Sequence, residues 1–152
     1  METVEFLILK NLLHNEEYVR KVIPFIKGDY FEDRNQKIVF EEIIKFVQEY
    51  NQPATKEILC IEAEKRQDIT DDSFREVTNL ISNLDEKPSE FDWLVNTTEK
   101  WCRDRAIYLA LMESIHIADG KDEQKNRDSI PTILSDALGV SFDTNVGVKT
   151  NS

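Results

Sequence analysis

The sequence is poor in the residues from which catalytic sites are built. Its 152 residues include only two histidines, two cysteines, four glycines and four prolines. None of the glycines fits the GxxxxGK[ST] loop that cradles phosphates, so we expect neither ATP hydrolysis nor a bound cofactor in this chain. A serine or cysteine nucleophile needs a histidine base within reach, and two histidines give such a pair little support.

One pair of residues has the spacing of metal ligands. Glu113 and His116 form an ExxH motif, which places two ligands on one face of a helix in carboxylate di-metal bundles. Those bundles require a second ExxH, and the other histidine, His14, follows an asparagine at the required position, Asn11. We therefore expect no metal site, and a metal-dependent bundle enzyme remains only as a rival interpretation.

Positive charge is also scarce. Nineteen Lys and Arg stand against 30 Asp and Glu, which gives a formal net charge of -11. Nucleic acids are bound largely through neutralisation of their phosphates by basic side chains. The densest basic segment, 100–105, is interleaved with Glu99 and Asp104, a pattern typical of a salt-bridged helix face. We expect weak or no direct nucleic-acid binding by this chain.

Long apolar runs are absent. No stretch of 18 apolar residues occurs, and the first residues lack the basic start of a secretion signal, so we expect a cytoplasmic protein that does not enter membranes. Cys60 and Cys102 lie within apolar periodic segments and form no CxxC pair, which favours reduced, buried thiols.

Helical periodicity is abundant. Apolar residues recur at helical spacing through the first half of the chain, and Asn15, Thr55 and Thr70 precede acidic residues as helix N-caps do. Pro24 and Pro53 mark helix ends. The sequence predicts an all-α fold in which residues 1–88 form a globular bundle of about five helices.

A long helical hairpin is predicted for residues 89–138. Ser89 with Asp92 has the layout of a capping box, and no Pro or Gly follows until Gly120, which allows a helix of almost 30 residues. A polar tip precedes a short return helix that starts near Ser129. The long helix is apolar on more than one side, so either it is the spine of a monomeric bundle or a second copy of the chain covers it. We expect the second copy, through Leu94, Trp101, Tyr108, Leu109, Met112, Ile115, Ile133, Leu134 and Leu138.

The last segment, 139–152, is poor in charge and rich in small and turn-forming residues. Such a composition is typical of a linker. We expect it to lead towards a further domain in a longer protein.

Several clusters of residues resemble one family of replication proteins. They include Trp93-Leu94-Val95 with Thr98-Glu99 and Arg105-Ala106, and later Ala137-Leu138 with Ser141-Phe142-Asp143 and Val146-Gly147. With the segments 22–25, 29–32 and 38–50, these clusters make almost the whole chain similar to the N-terminal domain of DnaB-type replicative hexameric helicases. The version in T-even-like phages is the most similar.

The resemblance implies a role that composition does not reveal. In that family an N-terminal helical collar sits above a ring of RecA-like motor domains, and the collar hairpins pair between subunits. ATP and Mg²⁺ act in the motor, which moves 5′ to 3′ along one strand of the replication fork, and the collar helps to recruit primase. We therefore expect self-association, primase and a helicase loader as partners of this chain. The alternative is a stand-alone acidic adaptor or inhibitor that binds a partner protein.

Overall fold

The chain folds into α-helices throughout the part that the structure describes. The computed structural model describes residues 2–87 and 89–142. Those residues form seven α-helices and three short 3-10 turns, with no strand, which confirms the all-α prediction. The helices are α1 Val4–His14, α2 Glu16–Val22, α3 Arg34–Tyr50, α4 Lys56–Glu64, α5 Asp71–Ser82, α6 Phe91–Ala118 and α7 Ile130–Leu138. The 3-10 turns are Ile23–Phe25, Gly28–Tyr30 and Arg127–Ser129.

The predicted start signals of several helices are present as hydrogen-bonded caps. The side chain of Asn15 accepts a hydrogen bond from the amide of Tyr18 at the start of α2. Thr55 and Thr70 accept in the same way at the starts of α4 and α5. Each such bond satisfies an amide that has no partner within its own helix, which stabilises the helix by about 1 kcal/mol.

The start of α6 differs from the prediction. Glu90, and not Ser89, caps the helix, because its carboxylate accepts hydrogen bonds from the amides of Asp92 at 3.2 Å and Trp93 at 2.7 Å. Ser89 instead accepts a bond from the Asn11 side chain at 3.4 Å. A carboxylate at this position also interacts favourably with the positive end of the helix dipole.

The chain divides into two compact units between Thr98 and Glu99. The predicted boundary lay earlier, at residue 88, and α6 contributes residues to both units. Leu94 and Thr98, in the first turns of α6, are buried at 1% and 0% exposure. The predicted linker, 139–152, is described only as far as Phe142, and residues 143–152 lie outside the described part.

Helix α1 lies in the core of the first unit. Helix α1 buries six consecutive residues, Ile8 to Leu13, which an ordinary one-sided surface helix would not do. Burying a large apolar side chain contributes about 1.5–3 kcal/mol, so the cluster accounts for much of the stability of this unit. Its largest fully buried side chains are Tyr18, Ile8, Leu9, Leu12, Ile38, Ile43, Leu59, Ile81, Leu84, Leu94, Val22 and Val39.

Polar contacts fix α1, α2 and α6 within the first unit. The Tyr18 hydroxyl lies 2.6 Å from Thr98 Oγ1, and Thr98 donates its own proton to the carbonyl of Leu94 at 2.8 Å. The Tyr18 hydroxyl is therefore the donor to Thr98. His14 Nε2 lies 2.6 Å from the carbonyl oxygen of Leu84.

No helix among the described residues is long and apolar enough to cross a membrane.

Candidate interaction surface

Four large apolar side chains lie exposed along the second half of α6. They occupy positions i, i+3, i+4 and i+7, which share one face of a helix. About half of each side chain is open to solvent: Tyr108 48%, Leu111 47%, Met112 50% and Ile115 55%. We call these four residues the α6 stripe. A contiguous apolar patch on an otherwise charged surface is typical of an interaction site.

The stripe continues a pattern that begins in the buried part of the same helix. Leu94, Trp101, Tyr108 and Ile115 repeat at intervals of seven, so they lie close to one line along α6. Leu94 is 1% and Trp101 8% exposed, whereas Tyr108 and Ile115 are about half exposed. The chain therefore covers this line in the first half of α6 and leaves it open in the second.

Charged side chains border the stripe. The guanidinium carbon of Arg105 lies 4.9 Å from the centre of the Tyr108 ring, a cation–π contact. Lys100 pairs with Asp104 at 3.0 Å one turn earlier, as expected for the salt-bridged face predicted there. An apolar centre with a charged rim is the usual anatomy of a protein–protein interface.

The second unit is a helical hairpin. After α6 ends, Gly120 adopts a left-handed φ of 74°, which lets the chain reverse. Lys125 then pairs with Glu113 at 2.6 Å. Beyond α7, the carbonyl of Val140 accepts from Arg103 Nε at 2.9 Å, and Glu99 accepts from the amide of Phe142 at 2.7 Å. These pairs run in opposite directions along the two arms, as in an antiparallel hairpin.

The structure places the nine residues predicted for self-association in three groups. Leu94 and Trp101 are buried, so they present almost no surface to a second chain. Three others are half-buried: Leu109, Ile133 and Leu134. The remaining four are exposed: Tyr108, Met112, Ile115 and Leu138, the last at 64%. The predicted residues that are exposed enough to contact a second chain thus lie in the second half of α6 and at the end of α7.

One exposed residue of the stripe was not predicted from the sequence. Leu111 belongs to the α6 stripe, but it was not among the nine positions predicted on α6 and α7. Its spacing of three from Tyr108 and four from Ile115 was the signal that could have found it.

The candidate metal ligands and cysteine nucleophiles are in structural contacts, at the surface or buried. Glu113 of the ExxH pair is bound to Lys125, and His116 is exposed. Among residues 2–87 and 89–142 there is no group of three His, Cys, Asp or Glu arranged to hold a metal ion.

Burial raises the pKa of the Cys102 thiol to about 12, and it also raises the pKa of the Cys60 thiol. Raised pKa values keep both thiols protonated at neutral pH, which is the reverse of what a nucleophilic cysteine requires.

The chain is similar to a known replicative helicase. The chain is 33% identical over 149 residues to a DnaB-like replicative helicase of Enterobacteria phage T4. The aligned region covers 93% of this chain and 31% of that helicase. No family model matches the chain. The predicted resemblance to DnaB-type replicative helicases is therefore confirmed, and the chain spans about a third of the length of the relative it matches.

Proposed function

We propose that this chain is the self-association and docking module of a DnaB-like replicative helicase. The observation that carries the proposal is the α6 stripe, which is exposed on a chain similar to part of such a helicase. A ring helicase needs each subunit to present a surface to its neighbour. The stripe supplies an apolar surface of the required kind, on a rigid helix.

A second copy of the chain is the occupant that we propose for the stripe. A two-fold axis brings the same patch of both subunits together, so residues near the centre of the stripe meet their own counterparts. Leu111 and Met112 are central, and Tyr108 of one copy then faces Ile115 of the other when the helices run antiparallel. Leu138 on α7 is exposed as well.

The activity of the longer protein is part of the same proposal. ATP and Mg²⁺ act in a RecA-like motor, which the present sequence does not contain, since it has no GxxxxGK[ST] loop. The motor unwinds the replication fork in the 5′ to 3′ direction, and this chain organises the ring and docks primase and a helicase loader. The similarity to a replicative helicase is what supports these assignments.

Sedimentation velocity of the 152-residue chain tests the pairing. We expect an assembly whose population grows with concentration and with salt, because salt screens the repulsion between chains that each carry a charge of -11. Met112→Glu places a charge in the centre of the apolar contact and should leave the chain monomeric over the same concentration range.

A matched control separates pairing from general damage. Ile61→Glu introduces the same charge at another exposed apolar residue, 48% open, on α4 in the first unit. This variant should associate like the parent chain, and both variants should keep the parent helical circular dichroism. A chain that stays monomeric at high concentration, or two variants that behave alike, would refute pairing through the stripe.

Weak DNA binding follows from the same proposal. The densest basic segment is paired with neighbouring acids, Lys100 with Asp104 and Arg103 with Glu99, the latter at 4.0 Å. Within this segment most of the positive charge is therefore compensated and does not favour the neutralisation of phosphates. A titration with single-stranded DNA at physiological salt should give no tight complex, and a submicromolar Kd would contradict this assignment.

A further inference from the structure

A cleft between α3 and α4 in the first unit has a different character from the α6 stripe. It encloses about 190 Å³, enough for one large side chain and too little for a folded domain. Its walls are part aromatic and part acidic, and both helices belong to the same compact unit. The residues that line it are Glu42, Lys45, Phe46, Glu49, Tyr50, Ile58 and Glu62.

The apolar wall is open at its outer edge. The rings of Phe46 and Tyr50 are in tilted contact, with 4.7 Å between their centres and 36° between their planes, and Tyr50 is 55% exposed. Ile58 continues this wall from α4, and Ile61, three residues further along the same helix, is 48% exposed. An exposed aromatic face beside an aliphatic surface suits an arginine or lysine, whose stem packs on apolar groups while its charge contacts a ring.

The floor of the cleft holds a buried carboxylate. The Glu42 side chain is only 4% exposed, and one of its oxygens is bound to Arg66 at 2.7 Å. The other oxygen, Oε1, has no hydrogen-bond partner among the described residues. Lys45 Nζ lies 3.1 Å from Oε1, as an ion pair outside hydrogen-bond geometry. The buried carboxylate is therefore held between two cations of the chain itself, Arg66 and Lys45.

One of the three carboxylates that line the cleft has no cation beside it. Glu42 is paired with Arg66 and Lys45, and Glu62 is paired with Lys65 at 2.8 Å and with Lys45 at 3.7 Å. Glu49 forms no ion pair with any residue of the described part of the chain. The open edge therefore combines an uncompensated carboxylate with the face of Tyr50.

We propose that this cleft binds a segment of a partner protein that presents an arginine or lysine beside an apolar side chain. The cation contacts Glu49 and the Tyr50 ring, while the apolar neighbour packs on Ile58 and Ile61. An amphipathic helix with the two side chains one turn apart has the required spacing. The site uses neither the α6 stripe nor its pairing, so a test of this proposal is independent of a test of the proposed function.

Fluorescence anisotropy with a labelled model peptide tests the proposal. The probe is a short helical peptide with arginine and leucine four positions apart, titrated with the 152-residue chain at physiological salt. A second peptide, in which serine replaces leucine, keeps the charge and lacks the apolar part. We expect the first peptide to bind more tightly, because charge alone is screened at this salt concentration.

Two variants with equal charge assign the binding to the cleft. Glu49→Lys should weaken the first peptide by at least about tenfold, because an attraction becomes a repulsion beside the bound cation. Glu64→Lys makes the same change at an exposed site outside the cleft, also in the last turn of its helix, and should alter Kd by less than about twofold. Tyr50→Ser should weaken binding without any change of charge.

Each remaining outcome overturns the proposal. Equal binding of the two peptides, or equal loss in Glu49→Lys and Glu64→Lys, would indicate attraction by the overall negative charge. Failure of the first peptide to bind would show that the cleft does not take such a segment. Loss of self-association in Glu49→Lys would assign the cleft to contacts between copies of the chain.

Discussion

The two halves of α6 carry the same sequence pattern and differ in what covers them. In the first half, Leu94 and Trp101 are buried at 1% and 8% exposure. In the second half, at the same heptad position, Tyr108 and Ile115 are 48% and 55% exposed. Neither helical propensity nor periodicity separates the two halves. The difference lies only in the supply of neighbouring side chains from the chain itself.

This comparison shows what an apolar period can and cannot indicate. A seven-residue repeat predicts that one line of a helix is suited to burial. It does not say whether the cover comes from the same chain or from another one. Leu94 belongs to the compact first unit, whereas the α6 stripe belongs to the second unit and is about half exposed.

The largest expected effect contrasts two truncations on the same line of α6. Leu94→Ala removes a fully buried side chain and should lower the free energy of unfolding by about 2–5 kcal/mol. Ile115→Ala removes a half-exposed side chain and should change it by less than about 0.5 kcal/mol in the monomer. Urea unfolding followed by circular dichroism, at concentrations where the chain is monomeric, gives both values. Equal losses would mean that the two halves are covered alike.

Thiol labelling sharpens the comparison for the assembled state. In a Cys60→Ser background, Cys102 in the buried half of α6 should react slowly with a maleimide reagent, because it is fully buried and its pKa is raised. Met112→Cys adds a thiol in the exposed half, which should react at least about tenfold faster in the monomer, since thiolate fraction and access both favour it. Raising the protein concentration should slow labelling of this second thiol alone. A rate that is independent of concentration would contradict the burial of the stripe by a second copy.

Much of the local structure could be predicted from particular residues. Asn15, Thr55 and Thr70 were recognisable as N-caps because a short polar side chain before acidic residues satisfies the first free amides of a helix. Gly120 marked the end of the long helix, and the structure gives it the left-handed conformation that glycine adopts most readily.

The remaining features depend on tertiary neighbours that a single sequence does not reveal. Glu90 replaces Ser89 as the cap of α6, while Ser89 accepts a bond from Asn11, which is distant in sequence. The cleft between α3 and α4 arises from the angle at which two helices pack, and no local pattern near Glu49 or Tyr50 predicts it.

A hydroxyl deletion tests how strongly the covered half of α6 is fixed. Tyr18→Phe removes the donor to Thr98 Oγ1 and leaves the bond from Thr98 to the Leu94 carbonyl in place. We expect a loss of about 1 kcal/mol in the free energy of unfolding, the usual value for one buried hydrogen bond. Tyr108→Phe deletes a hydroxyl from the exposed half and should leave the monomer unchanged within error. Both values come from urea unfolding under the same conditions, and a larger loss at Tyr108 would reverse the comparison.

A further expected effect is a dependence of the free energy of unfolding on alkaline pH that comes from Cys102, in the covered half of α6. The Cys102 thiol has a pKa of about 12 in the folded chain, raised mainly by burial and also by the charge of Glu99. In the unfolded chain a thiol titrates near about 8.5. Because the folded pKa is the higher one, the stabilisation is complete below about 8.5 and declines as pH rises towards 12. Cys102→Ala should therefore lose less stability than the parent chain between these values, measured by urea unfolding at several pH values in a Cys60→Ser background. Parallel pH profiles for the two chains would mean that Cys102 is not protected in the folded state.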